Sequence, residues 1–119
     1  MPVMMIESYV YKILSAGDDA RARELGHTDT DLDARDGYVH LSTREQVGET
    51  LALHYAGQSG VHLYEFVLER LGGNVKWEES RGGQLFPHLY DNLRLADAKR
   101  HWALEADANG NPALPAELK

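Results

Sequence analysis

From Tyr9 to Leu14 the chain alternates two largely apolar faces, Tyr9, Tyr11 and Ile13 against Val10, Lys12 and Leu14. They fall within a longer Ile-, Val- and Tyr-rich run from Met4 that reads as a first strand. Lys12 interrupts the second face, and a lysine there either carries its ammonium out to water or reaches into a pocket. Ser15-Ala16-Gly17-Asp18 breaks the strand and offers caps for a helix through Leu25. Residues 26–37 place Asp29, Asp31, Asp33 and Asp36 among small residues and are expected to form a solvated acidic loop. A calcium loop of the EF-hand type does not fit, because its glycine and glutamate positions counted from Asp29 are Ala34 and His40.

Tyr38 to Thr43 is predicted as a second strand, with Val39 and Leu41 facing the core and Tyr38, His40 and Ser42 sharing the other side. A helix follows from about Thr43, because Ser42 with Glu45 and Thr43 with Gln46 both have capping-box spacing. Val47, Leu51, His54 and Tyr55 recur along it at helical intervals, and Gly57 is its expected stop. Val61 to Glu69 is apolar on both faces, which suits a central strand. A last strand is expected near Ala98 to Glu105, and the tail from Ala106, with Asn109-Gly110-Asn111-Pro112 and Pro115, lacks a repeating pattern and reads as loose.

Between these lies the stretch Val75 to Tyr90, two short strand-like limbs around Arg81-Gly82-Gly83. Paired glycines suit a sharp turn or a close backbone approach. On the second limb Phe86, His88 and Tyr90 share one face and Leu85, Pro87 and Leu89 the other. The mixture of Trp77, Glu78, Arg81, His88 and Tyr90 beside a glycine turn is of the kind that lines small-molecule pockets. Each residue also has a plain structural role open to it, with Trp77 and Tyr90 as core aromatics and Arg81 as a turn residue paired to Glu78 or Glu79. Arg81 offers a planar fork for phosphate or carboxylate, and exposed amides at Gly82 and Gly83 would supplement it. His40, Ser42 and Thr43 sit at a strand-to-helix junction, where a helix N-terminus favours an anion. We expect His40, Arg81, His88 and Tyr90 to surround one cleft and Trp77 to be mostly buried, with Lys12 carried out to water or, in the alternative, reaching into that cleft.

Composition narrows this picture. With 119 residues, 43% hydrophobic and 26% charged, the chain is expected to form one domain, a core over 1–105 and a loose tail over 106–119. Twelve basic against nineteen acidic residues give a net charge of −7, which argues against broad nucleic-acid binding but leaves room for a pocket that holds one nucleotide or phosphate. There is no apolar run of membrane-spanning length, and Met1 to Ile6 is too short for a signal peptide, so a cytoplasmic location is expected. The absence of cysteine removes disulfides, thiolate catalysis and cysteine-held metals. The six histidines show neither His-x-His nor His-x-x-x-His spacing, and no metal ligand set is assigned; a hydrolase built on His40 and His88 would have to gather its ligands in three dimensions.

Tyr11-Lys12-Ile13, Asp36-Gly37-Tyr38-Val39-His40-Leu41-Ser42-Thr43, Gln46, and Trp77-Glu78 through Arg81-Gly82-Gly83 to Leu85-Phe86-Pro87-His88-Leu89-Tyr90 together resemble a small bacterial family termed domain of unknown function 952. The resemblance runs from the first strand to about Trp102. It implies an α+β domain akin to the ADP-ribosyltransferases, with a split, mostly antiparallel sheet and two main helices around an NAD cleft. In that superfamily a strand histidine followed by a small hydroxyl residue binds the ribose next to nicotinamide, and His40 with Ser42 and Thr43 is similar to this motif. An aromatic residue stacks on nicotinamide and a glutamate steers the attacking group. Trp77, Tyr90 or Tyr64 would supply the first and Glu78 or Glu65 the second. The resemblance and the reading of the residues together make His40 and Glu78 the catalytic candidates and Lys12, Ser42, Thr43, Trp77, Arg81, Gly82, Gly83, His88 and Tyr90 the ligand-binding candidates, and the resemblance implies NAD as the candidate cofactor. The competing expectation is a non-catalytic module that holds a nucleotide or another anionic metabolite.

Overall fold

The computed structural model describes residues 8–119; Met4 to Ile6, expected at the head of the first strand, lie outside the described residues. The strands are β1 (Tyr9–Leu14), β2 (Val39–His40), β3 (His62–Val67), β4 (Val75–Glu79), β5 (Leu85–Leu89) and β6 (Arg100–Ala103). The helices are α1 (Ala16–Leu25), α2 (Asp31–Asp36) and α3 (Arg44–His54). The strands form two antiparallel sheets, ordered β1-β3-β6 and β2-β5-β4. Ser42, just past β2, exchanges both backbone hydrogen bonds with Tyr11 of β1, at 2.8 and 2.9 Å, and so stitches the sheets edge to edge. The domain is therefore α+β, with a split antiparallel sheet and three main helices where two were expected.

The additional helix is α2, which occupies the expected acidic loop. Thr30 caps its start, with Oγ1 accepting from the Asp33 N–H at 3.1 Å, and Gly37 ends it in the left-handed region at φ 83°. The acidic run is not solvated throughout, since Asp33 is buried. The helix starts follow the pattern, whereas β2 shrinks to Val39–His40 where alternation predicts a strand from Tyr38 to Thr43. Ser15 caps α1, and the Thr43 N–H donates to the Gln46 side chain at 3.0 Å at the start of α3. That helix stops at His54, with Tyr55 rather than Gly57 as its terminal residue.

In the sheet β1-β3-β6, strands β1 and β3 are buried on both faces, with β3 central, while the edge strand β6 is largely exposed. Val10, Leu14, Tyr64 and Phe66 join Ala22 of α1 and Val39, Leu41 and Leu89 of the second sheet in one cluster. Tyr11, Ile13 and Leu63 face Val47 and Leu51 of α3 and the C-terminal Leu118 in another. The segment from Ala106, expected to be loose, is docked. Its Leu118 is buried, Ala113 donates to the Glu105 carbonyl at 2.8 Å, and the indole of Trp102 donates to Glu117 at 2.6 Å. Two isolated leucines, Leu114 and Leu118, are enough to anchor it where periodicity gave no signal. Among the described residues no helix is long and apolar enough to cross a membrane.

Candidate functional site

A cleft of about 670 Å³ opens between β1, α2, the end of β2, α3 and β5. Its wall includes Lys12, Asp33, His40, Ser42, Phe86 and His88, with Tyr55 and His54 from the far end of α3 and Ser80 from the hairpin turn. Of the residues nominated from sequence, Lys12, His40, Ser42 and His88 meet here.

Asp33 is the hub of the polar wall. Lys12 lies on the Val10–Leu14 face of β1, too deep for its stem to bring the ammonium to water, and is 4% exposed. Its Nζ instead donates to Asp33 Oδ2 at 2.7 Å and to the His40 carbonyl at 3.0 Å. Asp33 Oδ1 accepts from the His40 N–H at 3.1 Å and stands 2.6 Å from His40 Nδ1, while Asp36 reaches His40 Nε2 at 3.0 Å. Burial on its own would raise the Asp33 carboxyl, but the bonds from His40 and the Lys12 ammonium outweigh it and hold the group at about 2. Lys12 and His40, both nominated from sequence, thus already face a carboxylate on this wall. Asp33 and Asp36 were not nominated; the signal available was an acidic run just ahead of a histidine-bearing strand.

Across the β2–β5 pair His40 faces His88 in register, with ring centroids 5.4 Å apart. Tyr38 lies over both imidazoles, stacked on His88 at 4.1 Å and tilted against His40 at 4.7 Å, and it also meets Tyr90 at 5.2 Å. His88 is 3% exposed beneath this cover. The hairpin register sets Glu78 opposite Phe86, on the same face as His88 and Tyr90. Its Oε1 accepts from the Tyr90 hydroxyl at 2.7 Å and stands 2.9 Å from His88 Nδ1. The Tyr90 and His88 hydrogen bonds hold the Glu78 carboxyl below its usual range. Of the four residues expected around one cleft, His40 and His88 line it, whereas Tyr90 and Arg81 do not; Tyr90 and Glu78 adjoin His88 outside the cleft wall, beneath and beside Tyr38, which sequence reasoning did not nominate.

Other candidates fall elsewhere. Trp77 is not buried: it is 44% exposed, because β4 is an edge strand and the indole points away from the Glu78 face. Thr43 serves as the N-cap residue of α3. Arg81, Gly82 and Gly83 form the turn of the β4–β5 hairpin, with φ of 69° at Gly82 and 77° at Gly83. The Gly83 amide is spent on the Ser80 carbonyl at 3.1 Å, which removes it as an anion donor. Tyr64 and Glu65, the alternative aromatic and acid, belong to the other sheet. Glu65 is fully buried and receives Arg100 at 2.8 and 2.9 Å and the Tyr11 hydroxyl at 2.8 Å.

Comparison with known proteins agrees with this architecture. The crystal structure of protein CC0527 from Caulobacter crescentus is 40% identical in sequence, with a TM-score of 0.85 over 93% of this chain and 98% of that one. The solution NMR structure of the same protein gives 41% identity and a TM-score of 0.76 over 87% of this chain and 90% of that one. No curated protein matches the chain. A family model described as "Protein of unknown function (DUF952)" matches residues 13–101, and the chain belongs to that family.

Proposed function

We propose that this protein binds a nucleotide-type ligand in the cleft between α2, α3 and β5, with NAD the leading candidate and its ribose set against His40 and Ser42. The observation that carries this reading is the placement of His40 and Ser42 on the wall of a cleft of about 670 Å³, with His88 opposite. That volume lies within the roughly 300–1,000 Å³ usual for small-molecule sites. The polar groups suit hydroxyls better than a bare phosphate, since Lys12 and His40 face Asp33 while carboxylate, hydroxyl and imidazole edges remain mixed along one wall. This is the donor and acceptor set that a ribose diol requires.

In the catalytic form of this reading, the bond between ribose and nicotinamide breaks with its electron pair leaving on nicotinamide. A carboxylate then stabilises the positive ribose while an acceptor nucleophile attacks. Glu78 is the available carboxylate on the His88 side, kept ionised by Tyr90 and His88. One observation favours the second reading, a binding module without transfer. Glu78 is not part of the cleft wall and already receives two partners on one oxygen.

Ligand-observed NMR with NAD, ADP-ribose and a panel of phosphorylated metabolites tests the proposal, and a nicotinamide-release assay separates its two forms. Binding of NAD or ADP-ribose that is lost in His40→Ala supports the site. Release that disappears in Glu78→Gln supports transfer, and binding without release supports the module. Failure of every nucleotide in the panel to bind would remove the proposal.

A further inference from the structure

A second polar cluster lies on the β3–β6 side of the first sheet, and none of its three residues lines the cleft. β3 and β6 pair so that His62 opposes Ala103 and Tyr64 opposes His101, which makes His62 and His101 diagonal neighbours on one face. α1 lays Asp19 across them. His62 Nδ1 and His101 Nε2 are 2.7 Å apart, and His62 Nε2 is 3.4 Å from Asp19 Oδ2. Each of the three residues offers one ligand atom, and these atoms all lie within 4.8 Å of one another.

The surroundings are built to hold that geometry. The Tyr64 ring stacks on His101 at 4.1 Å and 9°, while its hydroxyl donates to Asp19 Oδ1 at 2.6 Å. One side chain thereby fixes the plane of an imidazole and the rotation of a carboxylate, the work that outer partners do around metal centres. Asp19 is buried, His62 half-buried and His101 exposed, so the cluster is closed on the helix side and open to solvent on the other. A cation already visits it. Arg23, one turn along α1, donates through Nε to Asp19 Oδ2 at 2.7 Å and brings Nη2 to 3.4 Å from His101 Nε2. Its side chain is 52% exposed and can swing into solvent.

We propose that Asp19, His62 and His101 form a binding site for a divalent first-row transition metal of the zinc class, with Arg23 as a displaceable competitor for the same carboxylate. Two imidazoles and one carboxylate are suitable ligands for such ions, and three protein ligands leave a coordination position for water or a small anion. Two nitrogens about 2.1 Å from a tetrahedral ion stand about 3.4 Å apart, so the imidazole pair must open by about 0.7 Å. The exposed His101 can make that adjustment. The histidines are 39 residues apart and only strand pairing joins them, which is why their spacing carries no metal signature.

The test titrates the metal-free full-length chain with Co²⁺, followed by visible absorption, and with Zn²⁺, followed by calorimetry. The expected result is one equivalent bound with a tetrahedral Co²⁺ spectrum, weakened roughly 100-fold or more in His62→Ala and in His101→Gln. His27→Ala, a histidine outside the cluster, should bind as the parent does. Arg23→Ala should bind several-fold more tightly, which a hydrogen-bonded brace between strands would not explain. Retained folding of each variant is checked by circular dichroism, and the exposed His101 and Arg23 supply the decisive variants if His62→Ala fails to fold. Undiminished binding in His101→Gln, or an Arg23→Ala variant that binds no metal, would overturn the assignment.

Discussion

His40 and His88 face one another across the β2–β5 pair, yet each imidazole answers to a different acid: Asp33 with Asp36 on one side, Glu78 on the other. The two acids differ in depth. Asp33 is 8% exposed, whereas the Glu78 side chain is 40% exposed. Only the buried member of the pair should leave a clear mark on folding stability.

For Asp33 the sign follows from its depressed value. A carboxyl held at about 2 when folded, against 3.8 ordinarily, contributes stability that is fully present above about pH 4 and is lost as pH falls towards 2. The contribution is on the order of 2 kcal/mol. Urea unfolding midpoints of the parent and Asp33→Asn, compared from pH 6 to pH 2, should converge across that window as the parent loses its advantage. A constant gap between the two proteins would show that Asp33 does not carry this charge.

Lys12 is the other half of the same pair. Replacing it with methionine preserves the apolar stem but leaves Asp33 buried without its ammonium, and breaking one side of a buried pair costs about 3–5 kcal/mol. Lys12→Met should therefore be among the most destabilising single changes on β1, and adding Asp33→Asn should restore part of the loss. Chemical denaturation of both single variants and the double variant measures the coupling.

How much of this was legible in the sequence depends on the range of the forces involved. The hairpin, the Thr43 cap and the shared side of Tyr38, His40 and Ser42 follow from local alternation and turn chemistry, which neighbouring residues impose on each other. Lys12 shows the limit of that logic. Its place on an apolar face is visible, but its partner lies 21 residues away on a helix whose sequence reads as an acidic loop. Trp77 shows another limit, because alternation gives its side of the strand but not whether anything covers that side, and β4 turned out to be an edge. The C-terminal segment docks through two leucines, Leu114 and Leu118, and scattered hydrogen bonds, too few apolar positions for any periodicity to report.

The exposed indole gives a further prediction. A buried tryptophan truncated to alanine would cost about 3–5 kcal/mol, but at 44% exposure on an edge strand Trp77→Ala should cost less than about 1 kcal/mol. A thermal melt decides between them. A large loss would mean that the exposed end of the Val75–Leu89 face, where Trp77 lies opposite Pro87, is covered in solution.

The last prediction concerns the cover over His88. Tyr38 stacks on that imidazole at 4.1 Å with only 20° between the planes, while β5 lies beneath it. Aromatic stacking of this kind depends on the ring and not on the hydroxyl. Tyr38→Phe should therefore keep His88 shielded on the Tyr38 side, and Tyr38→Ala should open that side to solvent. Diethyl pyrocarbonate, which acylates accessible imidazoles, provides the measurement when each modified histidine is located by mass spectrometry. Relative to His27 in the same sample, His88 should react at least about tenfold faster in Tyr38→Ala, as expected when a group 3% exposed loses the ring stacked on it, and no faster in Tyr38→Phe. Equal rates in all three proteins would mean that the hairpin and the cleft wall, not Tyr38, set the reactivity of this histidine.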